Sequence, residues 1–280
     1  MINRLIYRAF WVCAALVLAA SAQADCIATS LEKYANGDHR AEGHADRNSE
    51  RRPVETLKFF GITPTMTVVE ISPGGNGWYT EILAPFLRDS GTLYLGSFEA
   101  NPESEYVTRN MKKLGDKLAA RPEVYDQAKV RVFNPNGTMD AAPAGSADLV
   151  LTFRNTHGWA RRGQAEAAFK NMFTYLKPGG VLGLVQHRGN EGEDYTGETG
   201  YLTQSSVIAM AEKAGFVLLD QSDINANPRD TKNHPSGVWS LPPVLRLDDE
   251  NKHLESTMRE IGESDRMTLK FMRPVKVNEG

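Results

Sequence analysis

Apolar positions along this chain follow two alternating rhythms. Short branched or aromatic runs recur between stretches whose apolar residues fall three or four apart. The runs at Thr67–Ile71, Gly91–Phe98, Lys129–Phe133, Ala147–Phe153, Val181–Gln186, Phe216–Asp220 and Met267–Phe271 predict strands. Pro53–Phe60, Trp78–Leu87, Glu105–Leu118, Gln164–Leu176 and Thr203–Ala214 predict helices between them. Pro53 suits a first helical position, and Gly61 suits the residue just past that helix. Strands separated by helices predict an α/β fold, a mostly parallel central sheet with helices on both faces.

The pattern has one conspicuous break. Val68–Ile71 runs into Ser72-Pro-Gly-Gly-Asn-Gly77 before the helix that starts at Trp78. A glycine-rich turn there lets a ligand approach the backbone without meeting a Cβ, and the helix start offers unpaired N–H groups. In open α/β sheets ligands bind outside the carboxyl ends of the strands. That edge is expected to gather Glu70–Gly77, Phe98–Glu99, Asn134–Gly137, Arg154–Trp159 and Gln186–Arg188.

The N-terminus reads differently. Arg4 and Arg8 precede an uncharged apolar run, Ala9–Ala20, and Ala22-Gln23-Ala24 supplies a small-x-small site. This predicts a secretory signal peptide over residues 1–24, cut after Ala24, and a periplasmic or secreted protein. The run is shorter than the ~20 residues of a comfortable membrane span, so no stable membrane insertion is expected. Removing the segment takes away two arginines and no acid, moving the net charge from −3 to −5. Mild acidity argues against nucleic acid as a partner and leaves a small molecule. Cys13 would leave with the signal, and Cys26 alone can form neither an internal disulfide nor a metal cluster. Residues 25–52 form a polar N-terminal extension and 53–280 the main domain.

On five segments the chain resembles the class I S-adenosylmethionine-dependent methyltransferases, in particular an exported bacterial branch of predicted methyltransferases. They are VVEISPGG at 68–75, SADLVLTF at 146–153, YLKPGGVLGLV at 175–185, KAGF at 213–216 and DRMTLKF at 265–271. The resemblance implies the Rossmann-like methyltransferase fold and S-adenosylmethionine as cofactor. It implies that Glu70 supports the glycine loop and that Gly74, Gly75 and Gly77, beside Ser72, approach the cofactor's methionine part. Glu99 is the nearest counterpart of the acid that binds the ribose, about two residues late, and Asn134–Gly137 takes the adenine position. Ser72 and Asn76 stand where the family usually has glycine.

Substrate chemistry is expected at Arg154–Trp159, where an apolar strand ends. Methyl transfer needs an aligned nucleophile, and a base when that nucleophile carries a proton. His157 is the candidate base, with Asn155 and His187 as further catalytic candidates. Arg154, Trp159 and Arg188 are candidates for substrate binding, Arg188 as a bidentate partner of carboxylate or phosphate. Arg47, Arg51 and Arg52 form a basic cluster ahead of Pro53, read either as closing over the cofactor's carboxylate or as a solvated helix start with salt bridges to Glu50 and Glu55. The loop Glu191–Glu198 reads as a lid or a surface excursion, and Asn233–Trp239 as a substrate wall.

Three functions stay open on the residues. One is an exported methyltransferase acting on a small molecule or envelope component. The second is a non-catalytic ligand-binding protein whose cofactor loop has degenerated at Ser72 and Asn76. The third is a metalloenzyme using His44, His157, His187 and His234, although no two of these have close metal-ligand spacing and a metal is not expected.

Overall fold

A computed structural model describes residues 24–275. The signal-peptide expectation falls on residues outside that range, apart from Ala24. Among the described residues no helix is long and apolar enough to cross a membrane.

The sheet has eight strands: β1 (Thr67–Ile71), β2 (Thr92–Ser97), β3 (Lys129–Phe133), β4 (Met139–Asp140), β5 (Ala147–Phe153), β6 (Leu176–His187), β7 (Val217–Ser222) and β8 (Arg266–Met272). Their spatial order is β4-β3-β2-β1-β5-β6-β8-β7. The strands β3, β2, β1, β5 and β6 run parallel. β8 lies antiparallel to both β6 and β7. The helices used below are α1 (Pro53–Phe60), α2 (Thr80–Leu87), α3 (Glu105–Ala120), α4 (Thr156–Arg161), α5 (Ala165–Tyr175), α6 (Gln204–Lys213) and α7 (Glu255–Ile261).

Central strands covered on both faces must be apolar at successive positions. Val68 packs into one core layer with Leu57, Phe60, Leu149 and Leu151. Val69 and Ile71 enter the opposite layer with Val150, Phe169 and Leu184. Leu31 and Ala35, from the helical stretch over residues 24–35, are buried in the first layer, so the N-terminal segment shares this core.

Two differences from the expected elements matter for the site. Thr156–Arg161 is a short helix rather than a loop. The Lys177–Gly180 turn is drawn into the start of β6, where the pairing with β5 shifts register between Ala147 and Leu149. Lys177 Nζ pairs with Asp148 Oδ1 there at 2.7 Å.

Pro85 inside α2 has a consequence for the N-terminal segment. A proline has no N–H for the carbonyl four residues back, here that of Glu81. His39 Nε2 meets that carbonyl at 2.7 Å instead. The Glu81 carboxylate, fully buried, gathers Arg40 Nε at 2.9 Å, the Ala41 N–H at 3.1 Å, His44 Nδ1 at 2.9 Å, and Lys117. Burial works to raise its pKa, but the bonds from His44 and Lys117 prevail and hold it at about 2. This anchorage carries the chain that follows, through Arg47 and Arg51, across the carboxyl edge of the sheet.

Candidate active site

β1 ends at Ile71, and the chain turns immediately. Ser72 adopts φ 53° and Gly74 φ 67°, both left-handed. Glycine takes that conformation at no steric cost, whereas serine there is strained by about 1 kcal/mol. The turn is braced from the neighbouring strand. Asn155 Nδ2 donates to Ile71 O at 3.0 Å and to Thr152 Oγ1 at 3.1 Å. Beneath it Thr80 donates its hydroxyl to Glu70 Oε2 at 2.6 Å. Burial pushes the Glu70 carboxyl up to about 7, against the effect of that bond.

The turn opens onto a cavity of about 350 Å³. Ser72–Asn76 form one wall, and Arg154, Asn155 and His157 from the end of β5 form the next. His187, at the end of β6, and Ser264 close the back. Arg47, Arg51 and Glu263 lie on the N-terminal side, with Trp78. Val238, Trp239 and Pro242–Val244 supply an apolar wall, so the expected Asn233–Trp239 wall is present at its end. The volume is at the lower end of the ~300–1,000 Å³ typical of ligand pockets.

The two histidines meet. Their ring centroids are 5.6 Å apart, and His157 also packs edge-on against Trp239 at 5.8 Å. Burial is the main cause that lowers His157, to about 4, with the nearby Arg154 charge adding to it and the contact with Gln186 opposing it. His187 is pushed well below its ordinary value by burial and by the charges around it. Its Nδ1 lies 2.6 Å from Ser264 Oγ. Both rings are therefore neutral near pH 7 and able to accept a proton.

Electrostatically the floor of the cavity is one-sided. Glu263 receives Arg47 Nε at 2.7 Å, Arg51 Nε at 3.1 Å and Arg266 Nη1 at 2.8 Å. Burial would raise its pKa, but Arg51, Arg266, Arg154 and Arg47 together hold it at about 2. The loop expected to close over a ligand carboxylate is thus tied to a carboxylate of the protein itself: Arg47 and Arg51 are committed to Glu263, and Arg52 is exposed. Arg154, at φ 63°, has no protein acceptor for its guanidinium among the described residues.

Several expected site residues lie elsewhere. Trp159 is core, packed against Phe133 at 5.7 Å, because α4 turns its side chain under the sheet edge; Trp78 and Trp239 take the place expected of it. Arg188 is not free for substrate: it forms a bidentate pair with Asp265 at 3.0 Å and a bond to Asp223 at 2.6 Å, outside the cavity. Asn155 lines the cavity, but its amide nitrogen holds the loop, making it a positioning residue. Gly77 faces Thr80 and Leu114 and not the cavity. Glu70 lies beneath the loop. Glu99 accepts from Asn134 Nδ2 at 2.7 Å and Thr138 Oγ1 at 2.6 Å, so it and the Asn134–Gly137 turn satisfy each other away from the cavity. The Glu191–Glu198 loop is pinned at its start, where Glu191 accepts from Ser205, and does not line the cavity.

The four histidines of the metal alternative are not gathered into one ligand set. His44 reaches the cavity but is bonded to Glu81, and His234 is buried against Asp230 at 2.8 Å. Among the described residues no three His, Cys, Asp or Glu side chains form a metal-holding group. Sequence reasoning missed Glu263, Ser264 and Asn110. The first two stand just ahead of the last strand, in EIGESDR, where no apolar strand end precedes them to mark a site edge. Asn110, on α3, accepts the Gly75 N–H at 3.1 Å, a contact that helical periodicity does not reveal.

No family model and no curated sequence matches the chain. Solved structures do resemble it. An S-adenosylmethionine-dependent methyltransferase from Aquifex aeolicus superposes with TM-score 0.53 at 13% identity, covering 81% of this chain and 93% of its own. The fold is that of the methyltransferases. Geranyl diphosphate C-methyltransferase from Streptomyces coelicolor A3(2), solved with Mg2+, geranyl diphosphate and S-adenosylhomocysteine, superposes at TM-score 0.53 and 14% identity over 86% and 87% of the two chains. The (4+2)-cyclase SpnF superposes at TM-score 0.55 and 13% identity over 86% of each. The α/β, mostly parallel Rossmann-like architecture expected from the sequence is therefore present.

Do the residues fit S-adenosylmethionine? At the loop they do. A Cβ on Gly74 would have no atom within 4 Å, so the backbone there is open to a ligand. At the expected ribose end Glu99 is turned onto Asn134 and Thr138, and within the loop itself the Gly75 N–H is taken by Asn110. The backbone open to a ligand is therefore at Gly74, and the acid expected at the ribose is engaged within the protein.

Proposed function

We propose that the protein is an exported S-adenosylmethionine-dependent methyltransferase acting on a small molecule or envelope component. The observation that carries this reading is one cavity lined by the open Gly74 turn together with His157 and His187. The methyltransferase fold supports it, and the composition of the N-terminus supports export. When bound, the cofactor supplies a sulfonium methyl group, which passes to a nucleophile and leaves a neutral thioether.

The chain's own residues do the rest. The Ser72–Asn76 backbone holds the ligand, with Asn155 fixing its curvature. His157 and His187, neutral at pH 7, have a lone pair to accept a proton that the nucleophile loses, although their burial makes them weaker bases than a free imidazole. Trp239, Val238 and Pro242–Val244 exclude water from one side.

A second reading rests on Glu99. With that acid and the Gly75 N–H both engaged inside the protein, a non-catalytic ligand-binding protein on this fold accounts for the same cavity. Calorimetric titration with S-adenosylmethionine and S-adenosylhomocysteine separates the two. Micromolar binding that Gly74→Val abolishes is the expected result. Absence of heat at millimolar cofactor overturns the methyltransferase reading in favour of the second.

A further inference from the structure

The cavity is positive inside an acidic protein. Three arginines line it against one carboxylate, Glu263, and Arg266 stands behind on the same carboxylate. Arg154 remains without an acceptor, and Arg266 Nε is buried without one. One carboxylate cannot balance four guanidinium groups, and uncompensated charge taken from water is costly. Low-dielectric walls concentrate such a field at the cavity instead of spreading it over the surface. Arg154 stands beside His157 and the glycine turn, where a reacting ligand would lie. The wall made by Val238, Trp239 and Pro242–Val244 has no charged side chain.

We infer that the substrate is a small organic anion, whose carboxylate or phosphate pairs with Arg154 while its apolar body lies on the Val238–Val244 wall. The word substrate rests on the methyltransferase reading; the anion site does not. Guanidinium matches carboxylate and phosphate oxygens two at a time, which fixes direction as well as charge. Arg47 and Arg51 add field without giving up Glu263. The anionic group thus sits at the β5 end of the cavity and the remainder of the molecule runs toward Trp239.

The test is fluorescence and calorimetric titration of the protein with malonate, inorganic phosphate and phenyl phosphate, with phenol as the neutral partner of the last. Phenyl phosphate is expected to bind more tightly than phosphate, saturably and more weakly as salt rises, and phenol not to bind. Arg154→Met is expected to weaken phenyl phosphate on the order of ten- to a hundred-fold. Arg131→Met, on an exposed strand, should leave it unchanged. If Arg154→Met does not fold, the phenyl phosphate and phenol pair on the unaltered protein decides alone. No saturable anion binding, or binding indifferent to Arg154→Met, overturns the site. The cofactor's own carboxylate is the other source of such chemistry. Competition between S-adenosylmethionine and malonate, with equal loss of both in Arg154→Met, would overturn the substrate assignment. Anion binding without any cofactor binding keeps the anion site and removes the methyltransferase reading, so the two fail separately.

Discussion

Glu263→Gln tests the electrostatic account of the cavity most directly. The wild-type carboxylate is 4% exposed and accepts from Arg47, Arg51 and Arg266 at 2.7 to 3.1 Å. The neutral amide keeps the size but leaves these guanidinium groups and Arg154 facing one another. Depression of the Glu263 pKa from 4.5 to about 2 corresponds to about 3 kcal/mol of stability, at roughly 1.4 kcal/mol per pKa unit. Breaking a buried ion pair by removing one partner costs ~3–5 kcal/mol, which agrees. For a domain of this size that lowers the melting temperature by about 6 to 12 °C. The sign follows from the depressed folded value: the contribution is complete above the unfolded pKa near 4.5 and disappears as pH falls through about 2. Calorimetry of both proteins should therefore show a constant gap from pH 8 to 5 that closes toward pH 2. A gap below about 2 °C at pH 7, or one that widens in acid, would refute the account. Malonate or phosphate should restore part of the loss, because an added anion replaces the missing charge.

Glu70 titrates in the opposite sense. Its folded pKa of about 7 lies above the ordinary 4.5, so its stabilising contribution is full below 4.5 and lost as pH rises through 7. Glu70→Gln should flatten the decline in urea stability between pH 5 and 8, and an unchanged slope would show that Glu70 is not the group responsible. Ser72→Gly relieves a left-handed serine whose side chain makes no hydrogen bond among the described residues, so it should be neutral to stabilising by about 1 kcal/mol. It should also tighten S-adenosylmethionine if the Ser72 side chain narrows the cofactor path, as calorimetry will show. Trp159→Ala should cost ~3–5 kcal/mol in denaturant while the properly folded fraction binds ligand normally. Trp239→Ala should do the reverse, losing ligand affinity with a small change in stability, and equal behaviour of the two would contradict their placement.

The sequence by itself determined the layers and the main site edge. Alternating apolar runs and amphipathic stretches mark β1, β2, β3, β5, β6 and the helices between them, because each must bury a face of fixed period. The proline- and glycine-rich break after Ile71, with Arg154, Asn155, His157 and His187 after later strands, identified one end of the sheet, and those residues do line one cavity. Short elements such as β4 and α4 escaped notice, since two to six residues carry too little periodicity.

Which way each polar residue faces was settled only by tertiary contacts. Trp159 and Trp239 are alike as letters, yet α4 carries one into the core beside Phe133, and the turn at Gly237–Ser240 brings the other to the cavity. Arg188 and Arg154 both follow apolar strands, but only Arg188 finds carboxylates, at Asp265 and Asp223, that arrive from distant parts of the chain. Glu263 acquires its role by meeting Arg47 and Arg51 across more than two hundred residues, a meeting made by the docking of the N-terminal segment on Glu81. Local patterning fixes what must be buried, and long-range packing decides which charges are left to face a ligand.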